Sequence, residues 1–167
     1  GIFNPENWAR NAHFLAGQAE RHFPEVETLD VGGGLGVAEN PSQAPLDLEA
    51  VGRHLRDFRA AHPRYRIWLE PGRFLVARAG VLLARVTQLK EKGEHRYVGI
   101  DTGMNSLLRP ALYGSFHPIA NLTRLGEPLE FRADVVGPIC ETGDILGKGR
   151  RLPRTVEGDL LVIAITG

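Results

Sequence analysis

The strongest constraint on the fold is a strand–helix–strand pattern between residues 26 and 73. Short apolar runs predict strands at 26–31 and 66–69. Between them, a helix is predicted to begin at Asp47, with apolar residues at helical spacing and charged residues on the opposite face. A helix of this length between two strands is typical of a parallel crossover connection. In parallel α/β folds the chemistry gathers at the carboxyl ends of the strands, and a glycine-bearing motif follows each of these two strands.

The rest of the chain consists of a helix ahead of this unit and a β-rich second half. Asn4 is expected to cap the first helix. Further strands are predicted at 81–89, 97–101, 129–136 and 160–165. The expected fold class is therefore α/β over about residues 1–75 and mostly β over residues 80–167.

One parallel crossover cannot close a barrel, which takes about 200–250 residues. The α/β part is therefore either a small independent layer or the end of a larger barrel. The chain has no initiator Met, and it stops on the strand pattern of residues 160–165 without a tail. These features predict that the sequence is a piece of a longer protein.

Composition argues against several classes of function. Twenty Lys and Arg balance twenty Asp and Glu, so the chain lacks the basic surplus typical of nucleic-acid binders. No apolar run approaches the roughly 20 residues that span a bilayer, so no membrane association is expected. The single cysteine, Cys140, rules out an internal disulfide and a multi-cysteine metal site, and a reducing cytoplasm is the expected location. The six histidines are scattered without ligand spacing, so we interpret them as surface or ordinary polar residues and expect no metal site.

Four glycines in five positions, Gly32-Gly33-Gly34-Leu35-Gly36, follow the first predicted strand. Glycine lets the backbone approach an anion closely and expose successive N–H donors, so this run is a candidate phosphate-binding loop. It lacks the dinucleotide-binding fingerprint, because Val37 stands where the third glycine is required. The alternative is a tight turn from strand to loop without a ligand.

The second predicted strand ends in Glu70-Pro71-Gly72-Arg73. A carboxylate at this place can keep a proton on a heterocyclic nitrogen. An arginine can pair with a phosphate or a carboxylate through two parallel hydrogen bonds. The alternative is a surface turn with an ion pair.

Two segments of the β-rich half carry further candidate groups. Arg109-Pro110-Ala111-Leu112-Tyr113-Gly114 places another anion-binding arginine beside a phenol, and the alternative is a loop arginine with a half-buried tyrosine. Gly137-Pro138-Ile139-Cys140-Glu141-Thr142-Gly143-Asp144 presents a thiol beside acids in a turn-rich loop. Neighbouring acids oppose thiolate formation, so we interpret Cys140 as a proton donor rather than a nucleophile. The alternative is a small buried hydrophobic residue.

In their order along the chain, these segments resemble the alanine-racemase-like group of pyridoxal phosphate (PLP) decarboxylases, and within it most of all the diaminopimelate decarboxylases. The matching segments are residues 29–36, 70–73, 101–105 (Asp-Thr-Gly-Met-Asn), 109–114 and 137–144. No single segment is decisive, but five in the family's order and approximate spacing are specific.

The resemblance implies a fold, a reaction and a set of roles. The fold is the C-terminal part of a PLP-binding (β/α)₈ barrel over residues 1–78, followed by part of a β-rich sandwich or barrel domain over residues 79–167, in a homodimer with shared active sites. The reaction is decarboxylation of meso-diaminopimelate to L-lysine, the last step of lysine biosynthesis. The implied cofactor-binding residues are Gly32, Gly33, Gly34, Glu70, Gly72 and Arg73. The implied substrate-binding residues are Arg73, Arg109, Tyr113 and Glu141. Cys140 is the implied catalytic proton donor, and it would act with Glu141 in the partner subunit's site.

The sequence also departs from the family pattern. The family's Schiff-base lysine lies on an early barrel strand that this sequence lacks, and Lys90, Lys92 and Lys148 lie in the wrong contexts to replace it. We therefore predict that the 167 residues alone are inactive. Alternatives are a sister decarboxylase acting on ornithine, arginine or a carboxylated polyamine such as carboxynorspermidine, or a non-catalytic, PLP-free relative that serves as a binding partner. The arginine at 109 favours a substrate with a second carboxylate over the sister substrates.

Overall fold

Residues 1–167 are all described by the structure, a computed structural model, and they form two units, Gly1–Val76 and Ala77–Gly167. The first unit is α/β and the second is mostly β, as the hydrophobic pattern predicts. None of the helices combines the length and the apolarity that crossing a membrane requires.

The first unit is built on one parallel pair of strands. Its elements are α1 (Asn7–His22), β1 (Thr28–Gly33), α2 (Leu48–Ala61), β2 (Arg66–Glu70) and α3 (Gly72–Val76). β1 and β2 pair in parallel, with Leu29 opposite Ile67, so the predicted crossover is confirmed. α2 begins where predicted, because Asp47 Oδ1 accepts the Ala50 N–H at 2.9 Å and caps the helix.

The first helix begins later than the sequence pattern predicts. Its N-cap is Glu6, and no side chain caps it. Asn4 Oδ1 instead accepts the Glu6 N–H at 3.0 Å in the turn ahead of the helix. The prediction of an Asn4 cap was wrong because the side chain of Asn competes for nearby backbone N–H groups in turns as readily as in caps. The buried face of α1 packs with α2 and β1 in a core whose largest members are Trp8, Phe58 and Tyr65.

The second unit is a six-stranded mixed sheet with one short helix. A 3₁₀ turn (Ala77–Ala79) is followed by β3 (Val81–Lys92), β4 (His95–Ile100), α4 (Arg109–Tyr113), β5 (Ile119–Asn121), β6 (Phe131–Val136), β7 (Ile145–Leu152) and β8 (Leu160–Ala164). The strand order is β5-β8-β3-β4-β6-β7. Only β4 and β6 run parallel, and the other neighbours are antiparallel. Strands β5 and β7 were not predicted.

One histidine of this unit departs from the expectation of a surface position. His117 is fully buried, and its ring Nδ1 lies 3.0 Å from the Ala164 carbonyl oxygen. The sequence analysis missed its burial because the residue follows a turn-rich segment without a strand pattern. Nearby, the inner face of the sheet is a cluster of aliphatic side chains that includes Leu146, Leu161 and Ile163.

Candidate active site

The carboxyl ends of β1 and β2 bring the first two motifs together. Gly33 and Glu70 stand opposite each other in the register of the parallel pair. A Cβ on Gly33 would lie 2.0 Å from the Glu70 carbonyl oxygen, so only glycine fits there. The Glu70 residue is exposed. This edge of the sheet therefore presents a glycine turn beside a solvent-accessible carboxylate.

A buried tryptophan holds the glycine run in place. Trp8 Nε1 donates a hydrogen bond to the Gly33 carbonyl oxygen at 3.0 Å, and the Trp8 ring is fully buried in the core. Gly32 and Gly34, on either side, both have a φ of +78°, which favours glycine. The close contact and the two positive φ angles together explain why three consecutive glycines are needed at this turn.

Two backbone amides at the ends of the run already have acceptors within the chain. The Gly32 N–H donates to Asp30 Oδ1 and the Gly36 N–H donates to the Ile2 carbonyl oxygen, both at 2.9 Å. The candidate donors to an anion are therefore the N–H groups of residues 33–35, which lie between them.

Arg73 lies in the first turn of α3, and its guanidinium faces an acid other than Glu70. Its Nη2 forms an ion pair with Glu39 Oε1, and both side chains are largely shielded from solvent. The Arg73 Nε is buried and has no hydrogen-bond partner. A buried donor without an acceptor is costly, so this atom is a candidate ligand donor. Gly72 differs from Gly33, because a Cβ added there would meet nothing within 4 Å.

The third motif forms the short helix α4. Gly114 ends it with a φ of +62°, and the Gly114 N–H donates to the Pro110 carbonyl oxygen at 3.0 Å. Arg109 Nη2 donates to Ser115 Oγ at 2.9 Å, and the guanidinium lies 5.4 Å from the centre of the Tyr113 ring. Tyr113 is 68% exposed. One helical turn therefore presents a cation and an accessible phenol side by side, an arrangement that suits a carboxylate.

Cys140 and Glu141 lie in the loop between β6 and β7, and both are exposed. The alternative of a buried structural thiol is therefore wrong. The Gly143 N–H and Thr142 Oγ1 donate to Glu141 Oε1 at 3.1 and 3.0 Å. These hydrogen bonds, the Gly143 one foremost, hold the pKa of Glu141 below its ordinary value. The loop presents a free thiol beside a carboxylate that is ionised at neutral pH.

The candidate residues are divided between the two units. The glycine run, Glu70, Gly72 and Arg73 belong to the first unit, and Arg109, Tyr113, Cys140 and Glu141 belong to the second. No group of three or more His, Cys, Asp or Glu side chains is arranged to hold a metal ion.

Three supporting residues were missed by the sequence analysis. They are Trp8 beneath Gly33, Glu39 beside Arg73, and Asp144, whose carboxylate contacts the backbone at Met104. Trp8 and Glu39 lie 25 and 34 positions along the chain from the groups they support, so no local pattern could have found them. Asp144 lies 5 positions from Ile139, whose N–H it also accepts, but its contact with Met104 spans 40 positions and leaves no local signal.

Residues 19–167 match the family model described as the C-terminal sheet domain of pyridoxal-dependent decarboxylases. The chain belongs to the pyridoxal-dependent decarboxylase family. Similar members of this decarboxylase family include the diaminopimelate decarboxylase of Methanothermobacter thermautotrophicus, which is 39% identical over 178 residues, covering 100% of this chain and 41% of that protein. The diaminopimelate decarboxylase of Neisseria meningitidis serogroup A is 43% identical over 145 residues, covering 85% of this chain and 34% of that protein.

Solved structures of the decarboxylase family share the fold over the whole chain. A crystal structure of a diaminopimelate decarboxylase superposes with a TM-score of 0.90 at 30% identity, covering 100% of this chain and 44% of that one. The Helicobacter pylori enzyme complexed with L-lysine gives a TM-score of 0.84 at 30% identity, over 99% of this chain and 41% of that one. The chain thus spans less than half the length of the relatives it matches.

Proposed function

We propose that this chain is part of a PLP-dependent decarboxylase that converts meso-diaminopimelate to L-lysine and carbon dioxide. The observation that carries most of the proposal is the placement of Gly33 opposite Glu70 at the ends of β1 and β2. A glycine turn suits the phosphate end of PLP, and a carboxylate suits its basic ring nitrogen. Relatives that are named diaminopimelate decarboxylase and are 36% to 43% identical to this chain support the substrate.

The first unit contains groups that fit the cofactor. Within the run Gly32-Gly33-Gly34, the N–H groups of Gly33 and Gly34 would bind the phosphate, while Gly32, whose N–H donates to Asp30 Oδ1, would shape the turn. The buried Arg73 Nε without a partner would supply a cationic donor. Gly72 leaves open space at the start of α3. Glu70 would keep a proton on the ring nitrogen, because a nearby carboxylate favours the charged form of a base. When bound, PLP supplies an electron sink for the pair left on the α-carbon as carbon dioxide departs.

Residues of both units would bind the substrate and deliver the proton. Arg73, Arg109 and Tyr113 hold the distal carboxylate, which orients the bond that breaks. Glu141 binds the distal ammonium group, and its lowered pKa keeps it ionised for this role. Cys140 Sγ donates its proton to the α-carbon in place of the lost carboxylate, and the resulting thiolate takes a proton back from solvent.

The architecture proposed for the whole protein follows the same family. Residues 1–78 would be the C-terminal portion of a PLP-binding (β/α)₈ barrel, and residues 79–167 would belong to the β-rich domain that follows it. In a homodimer, Cys140 and Glu141 would act in the partner subunit's site. The exposure of both side chains in a single chain supports this arrangement.

The test uses the full-length protein loaded with PLP. We expect carbon dioxide and lysine from meso-diaminopimelate, with kcat/KM at least ~100-fold above that for ornithine or arginine, because a substrate without the distal carboxylate cannot accept the hydrogen bonds that Arg109 and Tyr113 would donate to it. Arg109→Met should lower kcat/KM about 100-fold, mainly through KM. Cys140→Ala should lower kcat at least ~100-fold with little change in KM. Arg151→Met, which alters an exposed arginine on β7, is the matched control and should leave both constants unchanged.

Two results would contradict the proposal. A preference for ornithine, arginine or carboxynorspermidine would assign the protein to a sister decarboxylase. A full-length protein that binds no PLP would indicate a non-catalytic relative.

A further inference from the structure

Asp144 is a buried carboxylate that joins two separate loops of the β-rich unit. The residue is only 3% exposed. Its Oδ1 accepts the Met104 N–H at 2.6 Å, and its Oδ2 accepts the Ile139 N–H at 2.9 Å. One side chain therefore holds the backbones of two loops that are far apart in the sequence.

Each of these loops leads directly to residues of the proposed active site. On one side, the carbonyl oxygen of Gly103 accepts the N–H groups of Ser106 and Leu107 at 2.9 and 3.1 Å, and this turn runs straight into α4 with Arg109 and Tyr113. On the other side, Ile139 immediately precedes Cys140 and Glu141. Asp144 thus lies at the base of both α4 and the loop that carries Cys140 and Glu141.

Two glycines make room for this carboxylate. A Cβ on Gly103 would lie 2.5 Å from the Asp144 oxygens, and a Cβ on Gly137 would lie 2.2 Å from Oδ2. Neither glycine has a positive φ. The space that the carboxylate occupies, and not the backbone conformation, therefore requires glycine at both positions.

We propose that Asp144 is a positioning residue that fixes α4 and the Cys140–Glu141 loop relative to each other. The inference rests on the proposed function, because that function gives the two segments their roles. Asp144 itself touches neither substrate nor cofactor. Only a carboxylate serves here, because each of its two oxygens accepts one N–H, whereas an amide has a single acceptor oxygen. In the proposed homodimer the same side chain connects a helix of one active site to a loop of the other.

The first test compares Asp144→Asn with Asp134→Asn in the full-length protein. Asp134 on β6 is a matched control, because its Oδ1 also accepts one backbone N–H, from Gly149 at 2.7 Å, outside the proposed site. In Asp144→Asn we expect ~10-fold faster amide hydrogen exchange in residues 103–107 and 139–141. We also expect kcat/KM to fall ~10- to 100-fold, with KM raised and kcat lowered, because misplaced groups lose rate steeply with distance. Asp134→Asn should match the wild type in both measurements.

A double-mutant cycle tests the link to the glycines. Gly137→Ala alone places a methyl group against the carboxylate and should lower kcat/KM ~10-fold. In an Asp144→Ala background the obstacle is gone, so adding Gly137→Ala should cost less than ~2-fold. If Asp144→Asn does not fold, Gly103→Ala and Gly137→Ala provide the same test, because each displaces the carboxylate without removing it.

The outcomes separate the positioning role of Asp144 from the proposed decarboxylase function. Unchanged exchange in either segment, or additive effects in the cycle, would overturn the positioning role. So would a lower melting temperature with wild-type kcat and KM, which is the result expected of a merely structural residue. If the full-length wild type does not decarboxylate meso-diaminopimelate, the proposed function fails. The exchange data would still decide whether Asp144 holds both loops.

Discussion

At the scale of single residues, Asp159 shows how one buried acid stabilises the β-rich unit. It is 3% exposed, and its Oδ2 accepts Arg124 Nε at 2.6 Å, Asn121 Nδ2 at 2.9 Å and the Val156 N–H at 3.0 Å. Burial alone would raise the pKa of Asp159. The hydrogen bonds and the Arg124 charge outweigh that effect and hold this pKa below its usual value. The folded state therefore favours the charged form of the Asp159 carboxylate.

Replacing this acid should destabilise the unit in a pH-dependent way. Asp159→Asn should cost about 2 kcal/mol, less than the ~3–5 kcal/mol typical of a broken fully buried pair, because Arg124 stays partly solvated and keeps Glu127 nearby. Because the folded pKa is depressed, the stabilisation is present above the unfolded pKa of about 3.9 and is lost as the pH falls through the folded value. Hydrogen exchange of the β8 amides from pH 3 to 7 should show wild type and variant converging only in acid.

An exposed acid provides the control for this experiment. Glu157→Gln, two positions away on the surface, should leave the free energy of unfolding within about 0.5 kcal/mol of the wild type. A constant difference between Asp159→Asn and wild type down to pH 3 would contradict the charged, hydrogen-bonded role of Asp159.

The sequence indicates the candidate site residues more readily than it indicates the residues that contact and hold them. The exposure of Cys140 follows from the turn residues that surround it, which the sequence displays. The ion pair of Arg73 with Glu39 and the burial of His117 depend on contacts between segments distant in sequence. Such contacts leave no periodic pattern, so local reasoning could not find them.

At the scale of elements, the β1–β2 pair was predictable and β7 was not. Apolar runs, the Asp47 cap and helical spacing are local signals, and together they specify a parallel crossover. Strand β7 contains glycines and cationic residues that are explained only by contacts between residues brought together in the tertiary structure. A Cβ on Gly147 would lie 2.4 Å from Arg150 Nε, and the Arg150 guanidinium lies 3.8 Å from the centre of the Phe116 ring. The sequence of β7 is therefore typical of a loop, and only its contacts in the folded structure explain why it forms a strand.

The close contact at the strand ends leads to a prediction about cofactor retention. In the full-length protein, Gly33→Ala forces the Glu70 backbone away, because the new Cβ would lie 2.0 Å from its carbonyl oxygen. We expect PLP affinity to fall at least ~10-fold, since the glycine turn and Glu70, the acid proposed to face the PLP ring nitrogen, lose their register. The fraction of PLP retained after dialysis, measured by absorbance, checks this.

Gly17→Ala is the matched control for that substitution. Gly17 lies within α1, and a Cβ there would meet nothing within 4 Å, so this variant should keep its PLP and gain up to about 1 kcal/mol of helix stability. Equal retention by Gly33→Ala and Gly17→Ala would contradict the proposed cofactor site.

At the scale of the whole molecule, the two units have unequal means of stabilisation. The β-rich unit has a six-stranded sheet over an aliphatic cluster. The α/β unit has only two paired strands, and a sheet of that size is marginal by itself. Trp68 on β2 is 62% exposed and Leu75 on α3 is 70% exposed. Apolar side chains on a parallel strand are typical of a strand covered on both faces, so this unit needs further polypeptide to cover it.

This difference between the units predicts how the 167-residue chain behaves by itself, given that its relatives are more than twice as long. Residues 1–76 contain no lysine, so the unit that carries the proposed cofactor residues has no amine side chain to bind PLP covalently. We expect the isolated chain to release no carbon dioxide from meso-diaminopimelate, while the full-length protein does. Limited proteolysis of the isolated chain should digest the α/β unit and leave a resistant fragment that begins near Ala77, because a sheet of only two strands with exposed apolar side chains opens locally more readily than a six-stranded sheet. The same bonds should be protected in the full-length protein, where the exposed strand and helix are covered. Turnover by the isolated chain, or equal protease resistance of both units, would contradict these predictions. Mass spectrometry of the digest identifies the fragments and so shows which unit is cut.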